Sequence, residues 1–123
     1  MEEPPLRTVV WIGPTRKELK TFPRPVQRAV GLALYAAQLG EMPPDAKPLK
    51  GFSGAGVVEL VEDHRGDTCR AVYTVRFATR IYVLHVFQKK SKHGIVTPKA
   101  ELDLIRERLK RVESLHAGKK KGV

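Results

Sequence analysis

Residues 56–88 read GVVELVEDHRGDTCRAVYTVRFATRIYVLHVFQ, and how this stretch divides decides the fold. Three runs rich in Val, Ile, Tyr, Phe and Thr stand out: 56–62, 69–77 and 80–88. Residues of these types, bounded by Gly and Asp, read as β-strands. DHRGD joins the first pair and the dipeptide Ala78-Thr79 the second. Links this short make neighbouring strands antiparallel, although Ala-Thr lacks the Gly or Asn of a tight hairpin turn. Strand side chains alternate between faces. In 69–77, Cys69, Ala71, Tyr73, Val75 and Phe77 form an apolar, helix-covered face. Arg70, Val72, Thr74 and Arg76 form the other, with the two arginines roughly 20 Å apart along an ideal strand. In 80–88, Tyr82 and Leu84 fall on one face and His85 and Phe87 on the other.

Outward toward the N-terminus, RTVVWI (7–12) is a further strand, stopped by Gly13-Pro14. Thr15 opens a short helix, with Glu18 at capping-box spacing, and Pro23 ends it. Pro25 suits the start of a second helix, over PVQRAVGLALYAAQLG (25–40). Val26, Val30, Ala33, Leu34 and Ala37 give it an apolar stripe, which Leu32, Tyr35 and Leu39 widen, and Gly40 is its stop. The two helices form a hairpin packed on the sheet. Residues 41–56, EMPPDAKPLKGFSGAG, carry three prolines and three glycines, and read as loop. Toward the C-terminus, Thr97 and Pro98 cap a last helix over about 98–114, with Leu102, Ile105, Leu109 and Val112 facing inward. Residues 117–123 read as a basic, frayed tail. The order is β-α-α-β-β-β-α, one α+β domain over 1–123.

The chain has 123 residues, enough for one core. No apolar run approaches the ~20 residues of a membrane helix, and the acidic, proline-rich MEEPPLR is unlike a signal peptide. Cys69 is the single cysteine, which excludes an intrachain disulfide and a Cys-based zinc site. A reducing, cytoplasmic setting is expected. The net charge of +10 is unevenly spread: residues 88–123 hold eleven Lys/Arg against four Asp/Glu. Such a basic domain binds a polyanion, the plainer alternative being solubility alone.

The strand ending HVFQKKSKH (85–93) runs into Lys89, Lys90, Lys92 and His93. Paired beside 70–76, it brings these charges near Arg70, and Lys47 and Lys50 are placed to reach the same region. Lys99 opens the last helix on the same side. The expected picture is a basic concave surface over an open sheet face, suited to a phosphodiester backbone. The plainer reading is that the arginines solvate that face. Histidine suits acid–base work near neutrality. His64 falls in a turn and His116 near the tail, leaving His85, more simply a packed strand histidine, and His93. Neither a His-Glu-x-x-His motif nor a Cys pair or acidic ligand cluster is present, so no metal or other cofactor is expected. GFSGAG (51–56) lacks the Lys-Ser/Thr ending of a nucleotide P-loop.

Three stretches carry a resemblance: KPLKGFSGAGVVELVEDHRGDTCRAVYTVRF (47–77), YVLHVFQKKSKHGIVTPKAELDLI (82–105) and VQRAVGLALYAAQLG (26–40). Together they resemble the phage-derived, HigB-like branch of the RelE/ParE toxin superfamily, over about residues 8–113. The resemblance implies a RelE-like α+β fold: a small antiparallel sheet with an N-terminal helical hairpin on one face and a C-terminal helix by the cleft. It also implies a toxin paired with a helix-turn-helix antitoxin, and an mRNA endoribonuclease acting on the ribosome without metal. In that chemistry the ribose 2′-OH attacks the adjacent phosphorus, basic side chains stabilise the phosphorane, and a general acid protonates the 5′-oxygen. The resemblance places the arginine at Arg70 and the strand-end basic residue at Lys90, beside Lys89. The lysines RelE itself has on the first hairpin strand, and its tyrosine before the last helix, are absent. The general base and acid are therefore open among Lys50, Tyr73, His85 and His93, with Arg76 a further phosphate ligand and Lys47, Lys50, Lys92 and Lys99 as RNA contacts. A ParE-like toxin acting on a protein such as gyrase, or a non-catalytic nucleic-acid-binding domain, are the competing readings. A neutralising antitoxin segment would be acidic or amphipathic, covering the basic face or displacing the last helix.

Overall fold

The computed structural model describes residues 5–52, 54–89 and 97–121, the side chains of 119–121 excepted. The chain divides into two compact units, Met1–Lys92 and His93–Val123. The first holds β1 (Thr8–Trp11), α1 (Thr15–Leu19), α2 (Arg24–Gln38), β2 (Ala46–Pro48), β3 (Val57–His64), β4 (Asp67–Thr74) and β5 (Arg80–Lys89). The second holds α3 (Lys99–Lys121). The α+β class and the central β3-β4-β5 meander agree with the sequence reading.

The strands form one sheet in the order β1-β5-β4-β3-β2. All neighbours are antiparallel except β1, which runs parallel to β5. The β3–β4 turn is tighter than DHRGD suggests. His64 pairs with Asp67, so Arg65 and Gly66 alone make the turn, both at positive φ (49° and 88°). Two such residues match the right-handed strand twist, as in a type I′ turn. His64 is thereby a strand residue and not a turn residue.

Two readings of the flanking loops are corrected. Within 41–56, Ala46–Pro48 pairs with β3 as a short edge strand. An edge strand is a place in a sheet where the missing N–H of Pro48 need cost no ladder bond. After β4 the chain leaves the ladder at Thr74, so Arg76 lies outside the strand and the link to β5 runs over 75–79. Gly56 holds this exit: its carbonyl accepts from Val75 N–H at 2.8 Å, and a Cβ at Gly56 would overlap Arg76 Cβ.

Helix α1 has no capping box. Pro14 is its N-cap residue, with no side-chain cap bond. Thr15 is fully buried, its hydroxyl without a hydrogen-bond partner among the described residues. Helix α2 ends as expected: Gly40 (φ 83°) donates to Ala37 and Glu41 to Ala36, the paired bonds of a Schellman motif. Its stripe Val26, Val30, Ala33, Leu34 and Ala37 is buried. Leu32, Tyr35 and Leu39 do not widen that stripe; they are 65%, 51% and 47% exposed. The core joins the buried α1 and α2 residues to Val58, Leu60, Cys69, Ala71, Tyr73, Ile81, Val83 and Val86, one face of the sheet. Burial of this apolar area, at about 25 cal/mol per Å², is the main stabilising term.

In the second unit, α3 begins just after Pro98, whose carbonyl accepts from Leu102 N–H at 3.0 Å. Ile105, Leu109 and Val112 are buried. The helix runs to Lys121, so residues 117–121 of the expected frayed tail are helical.

Candidate active site on the second sheet face

A bulge in β5 sets the site. Val72 pairs with His85 but Tyr73 pairs with Val83, leaving Leu84 as the extra residue. Simple alternation therefore fails. Ile81 and Val83 point to the helical core before the bulge, and Val86 does so after it. Tyr82 consequently shares a face with His85 and Phe87, where unbroken alternation had separated them. Its amide donates to Thr74 Oγ1 at 3.1 Å.

Cross-strand rows then define the second face. One row runs Lys47, Glu59, Val72, His85; the next Val61, Arg70, Phe87; the third Asp63, Thr68, Lys89. Arg70 stands opposite Phe87, with His85 and Lys89 two residues to either side of it. Such diagonal positions lie about 7–8 Å apart, within reach of long side chains. His85 stacks on Phe87, ring centroids 4.9 Å apart and planes at 21°.

The face is not open, as the sequence had suggested. Arg70 is 3% exposed and His85 6%. The buried guanidinium has a partner that is not evident from the sequence. Arg70 Nη1 donates to Glu59 Oε2 at 3.0 Å, both side chains buried. Glu59 is diagonal to Arg70 across the β3–β4 ladder. A guanidinium leaves water only when a carboxylate compensates it. The signal for Glu59 was an acidic residue at an inward position of an otherwise apolar strand.

The remaining candidates separate. Lys89 ends β5 and is half-buried on the Arg70 face. Lys47 is exposed on β2, level with Glu59. Lys50 is exposed in the turn after β2, and Lys99 is exposed at the start of α3. Arg76 is exposed, its guanidinium carbon 4.7 Å from the Phe77 ring centre, a cation–π contact. Tyr73 lies on the opposite face, in the helical core. Burial pushes its phenol up to about 12, and its hydroxyl has no hydrogen-bond partner among the described residues. Lys90, Lys92 and His93 lie outside the described residues.

At the far end of the β3–β4 hairpin, burial raises the Glu62 carboxyl above its usual range, with Asp45 and Asp63 adding to the effect. No group of His, Cys, Asp and Glu among the described residues is arranged to hold a metal ion. No helix among them is long and apolar enough to cross a membrane.

The second face thus brings together a guanidinium, a carboxylate, an imidazole and an ammonium group. Residues 17–110, from α1 into α3, match the family described as phage derived protein Gp49-like (DUF891). No curated protein and no solved structure matches the chain. The family match spans most of the chain, which belongs to the Gp49-like family of phage-derived, toxin-like proteins.

Proposed function

We propose that this protein is the toxin of a type II toxin–antitoxin pair and cleaves mRNA on the ribosome without a metal. The observation that carries the reading is the register placing Glu59, Arg70, His85 and Lys89 on one face of three adjacent strands. Phosphodiester cleavage by an internal nucleophile needs a proton acceptor, a proton donor and fixed positive charge. Glu59 takes the proton from the ribose 2′-OH as the O2′–P bond forms. Arg70 and Lys89 stabilise the charge on the phosphorane. His85 gives a proton to O5′ as the P–O5′ bond breaks. The products are a 2′,3′-cyclic phosphate and a free 5′-hydroxyl. Arg70 and His85 are buried in the free chain, so the reading requires that ribosome-bound substrate open this face.

Induced expression of the full chain, with mapping of mRNA 5′ ends in the ribosomal fraction, tests it. His85→Asn and Lys89→Ala variants should fold with the parent's circular dichroism. Removing the proton donor should lower cleavage by about 10²–10⁴-fold. Undiminished cut ends in His85→Asn would overturn the assignment.

The burial of the Arg70–Glu59 pair favours a second reading, a toxin of ParE-like action on a protein target such as gyrase. There the ion pair serves the fold alone. Growth arrest with inhibited supercoiling and intact mRNA would select it.

A further inference from the structure

The outward face of α2 is apolar where a surface helix is ordinarily polar. At 3.6 residues per turn, Arg24, Arg28, Leu32, Tyr35 and Leu39 fall within about a quarter turn of one another. They lie opposite the buried stripe Val26, Val30, Ala33 and Ala37. The three apolar members are 65%, 51% and 47% exposed, and Leu6 and Met42 beside the helix end are each 50% exposed. A cluster of exposed large apolar side chains of this kind marks an interaction surface.

The stripe runs into a cavity of about 440 Å³, lined by Leu6, Arg7, Tyr35, Gln38, Leu39 and Glu41 among others. Its wall is held in place. Gln38 Nε2 donates to the Arg7 carbonyl at 2.7 Å, and Arg7 N–H donates to the Gln38 carbonyl. Arg7 Nη1 donates to the Val75 carbonyl at 3.2 Å. The cavity is thus a preformed recess at the C-terminal end of the stripe.

Charge identifies the occupant. Helix α2 contains two arginines and no acidic residue. Both arginines sit in its first two turns, at the positive end of the helix dipole, where cations are disfavoured. That arrangement costs the isolated helix stability and becomes favourable when an anion approaches. Arg7 lies in the recess at the other end, where Glu41 is the one acidic lining residue. A second copy of this chain would bring the same cations to the same face, and each copy carries a net charge of +10.

We propose that the outward face of α2 is the docking site for an acidic amphipathic helix of the neutralising partner, its apolar side on Leu32, Tyr35 and Leu39. Glutamates flanking that side meet Arg24 and Arg28, and one bulky apolar residue fills the recess beside Leu6. The stripe from Arg24 to Leu39 spans about 22 Å at 1.5 Å per residue, the length of a roughly 15-residue helix. This is recognition of a helix through residues at three- and four-residue spacing. The proposal rests on the toxin reading for the expectation of a neutralising partner, and not on the cleavage chemistry.

The test uses two synthetic helical peptides of about 16 residues with the same leucine stripe, one flanked by Glu and one by Lys. Each is titrated into the isotopically labelled full chain and followed by NMR. The Glu peptide should bind and shift resonances of α2 and residues 5–8, while the Lys peptide should not. Tyr35→Ala should weaken binding by about 30-fold, a hot-spot loss. Arg24→Glu with Arg28→Glu should reverse the preference between the peptides. All three side chains are exposed, so the variants should melt with the parent. Equal binding of both peptides, shifts centred elsewhere, or no binding would overturn the proposal. So would self-association of the chain that Tyr35→Ala abolishes, since a second copy would then be the occupant. None of these readouts depends on growth arrest. A failure of the toxin reading would appear instead as normal growth on full expression.

Discussion

The two faces of the β3-β4-β5 meander are built from the same strands and bury residues to similar degrees, yet they do so by different physics. The face toward α1 and α2 is apolar throughout, from Val58 and Leu60 to Ile81, Val83 and Val86. The second face buries Glu59, Arg70, Thr74 and His85 among Val57, Val72, Tyr82 and Leu84. Apolar burial is non-directional and tolerates small changes in shape. Burial of a charge depends on compensating partners at defined distances, so the second face is the more fragile of the two. A fold that needed only stability would be served as well by an apolar pair there. On the proposed cleavage reading the ion pair belongs to the site, whereas on the second reading it serves the fold alone.

The sharpest way to break this contrast is to unpair the buried charge. Arg70→Ala or Glu59→Ala should each cost about 3–5 kcal/mol in urea unfolding, because the survivor loses its charged partner inside the fold. The double change Glu59→Leu with Arg70→Met should recover most of that loss. If the single variants unfold with the parent, the ion pair is not what holds the second face together.

A smaller effect of opposite sign is expected on the apolar face. Tyr73→Phe removes a buried hydroxyl that has no hydrogen-bond partner among the described residues. It should leave stability unchanged or raise it by about 1 kcal/mol. On the proposed cleavage reading the activity should be unaffected, since Tyr73 lies across the sheet from Arg70. Loss of cleavage with an unchanged melting temperature would return Tyr73 to the site.

The smallest effect concerns Glu62, near the hairpin end. Its carboxyl is raised by burial and by Asp45, so the folded state binds its proton more tightly than the unfolded chain does. The stability this contributes is fully present below the ordinary glutamate value of 4.5 and is lost as pH rises through the raised folded value. Glu62→Gln should therefore raise the melting temperature modestly at pH 7, and the difference should vanish below about pH 4.5. A difference that persists in acid would mean that Glu62 acts by packing alone.

Much of this was legible without coordinates. The period-2 runs gave three strands because backbone geometry alone sets that alternation. The α2 core stripe followed from its 3.6 period, and Gly40 from the left-handed φ that a Schellman motif demands. Leu32, Tyr35 and Leu39 show the limit: their composition is that of core residues, but apolarity does not say whether a partner covers them. Arg70 was singled out by its place in the strand and by the resemblance, but as a residue of an open face, whereas it is buried. Its contact with Glu59 was not foreseen, because the two lie eleven residues apart and meet through a register that no local signal reports.

By itself, then, the amino-acid order determined most of the elements, the α+β class and the alternation outside the β5 bulge, since each depends on interactions between near neighbours in the chain. Tertiary structure alone decided that Ala46–Pro48 forms an edge strand and that the β5 bulge carries Tyr82 onto the His85 face. It also decided that Arg70 is buried against Glu59. These depend on pairing between distant strands and on the exclusion of water from the contact, which many weak long-range interactions settle together.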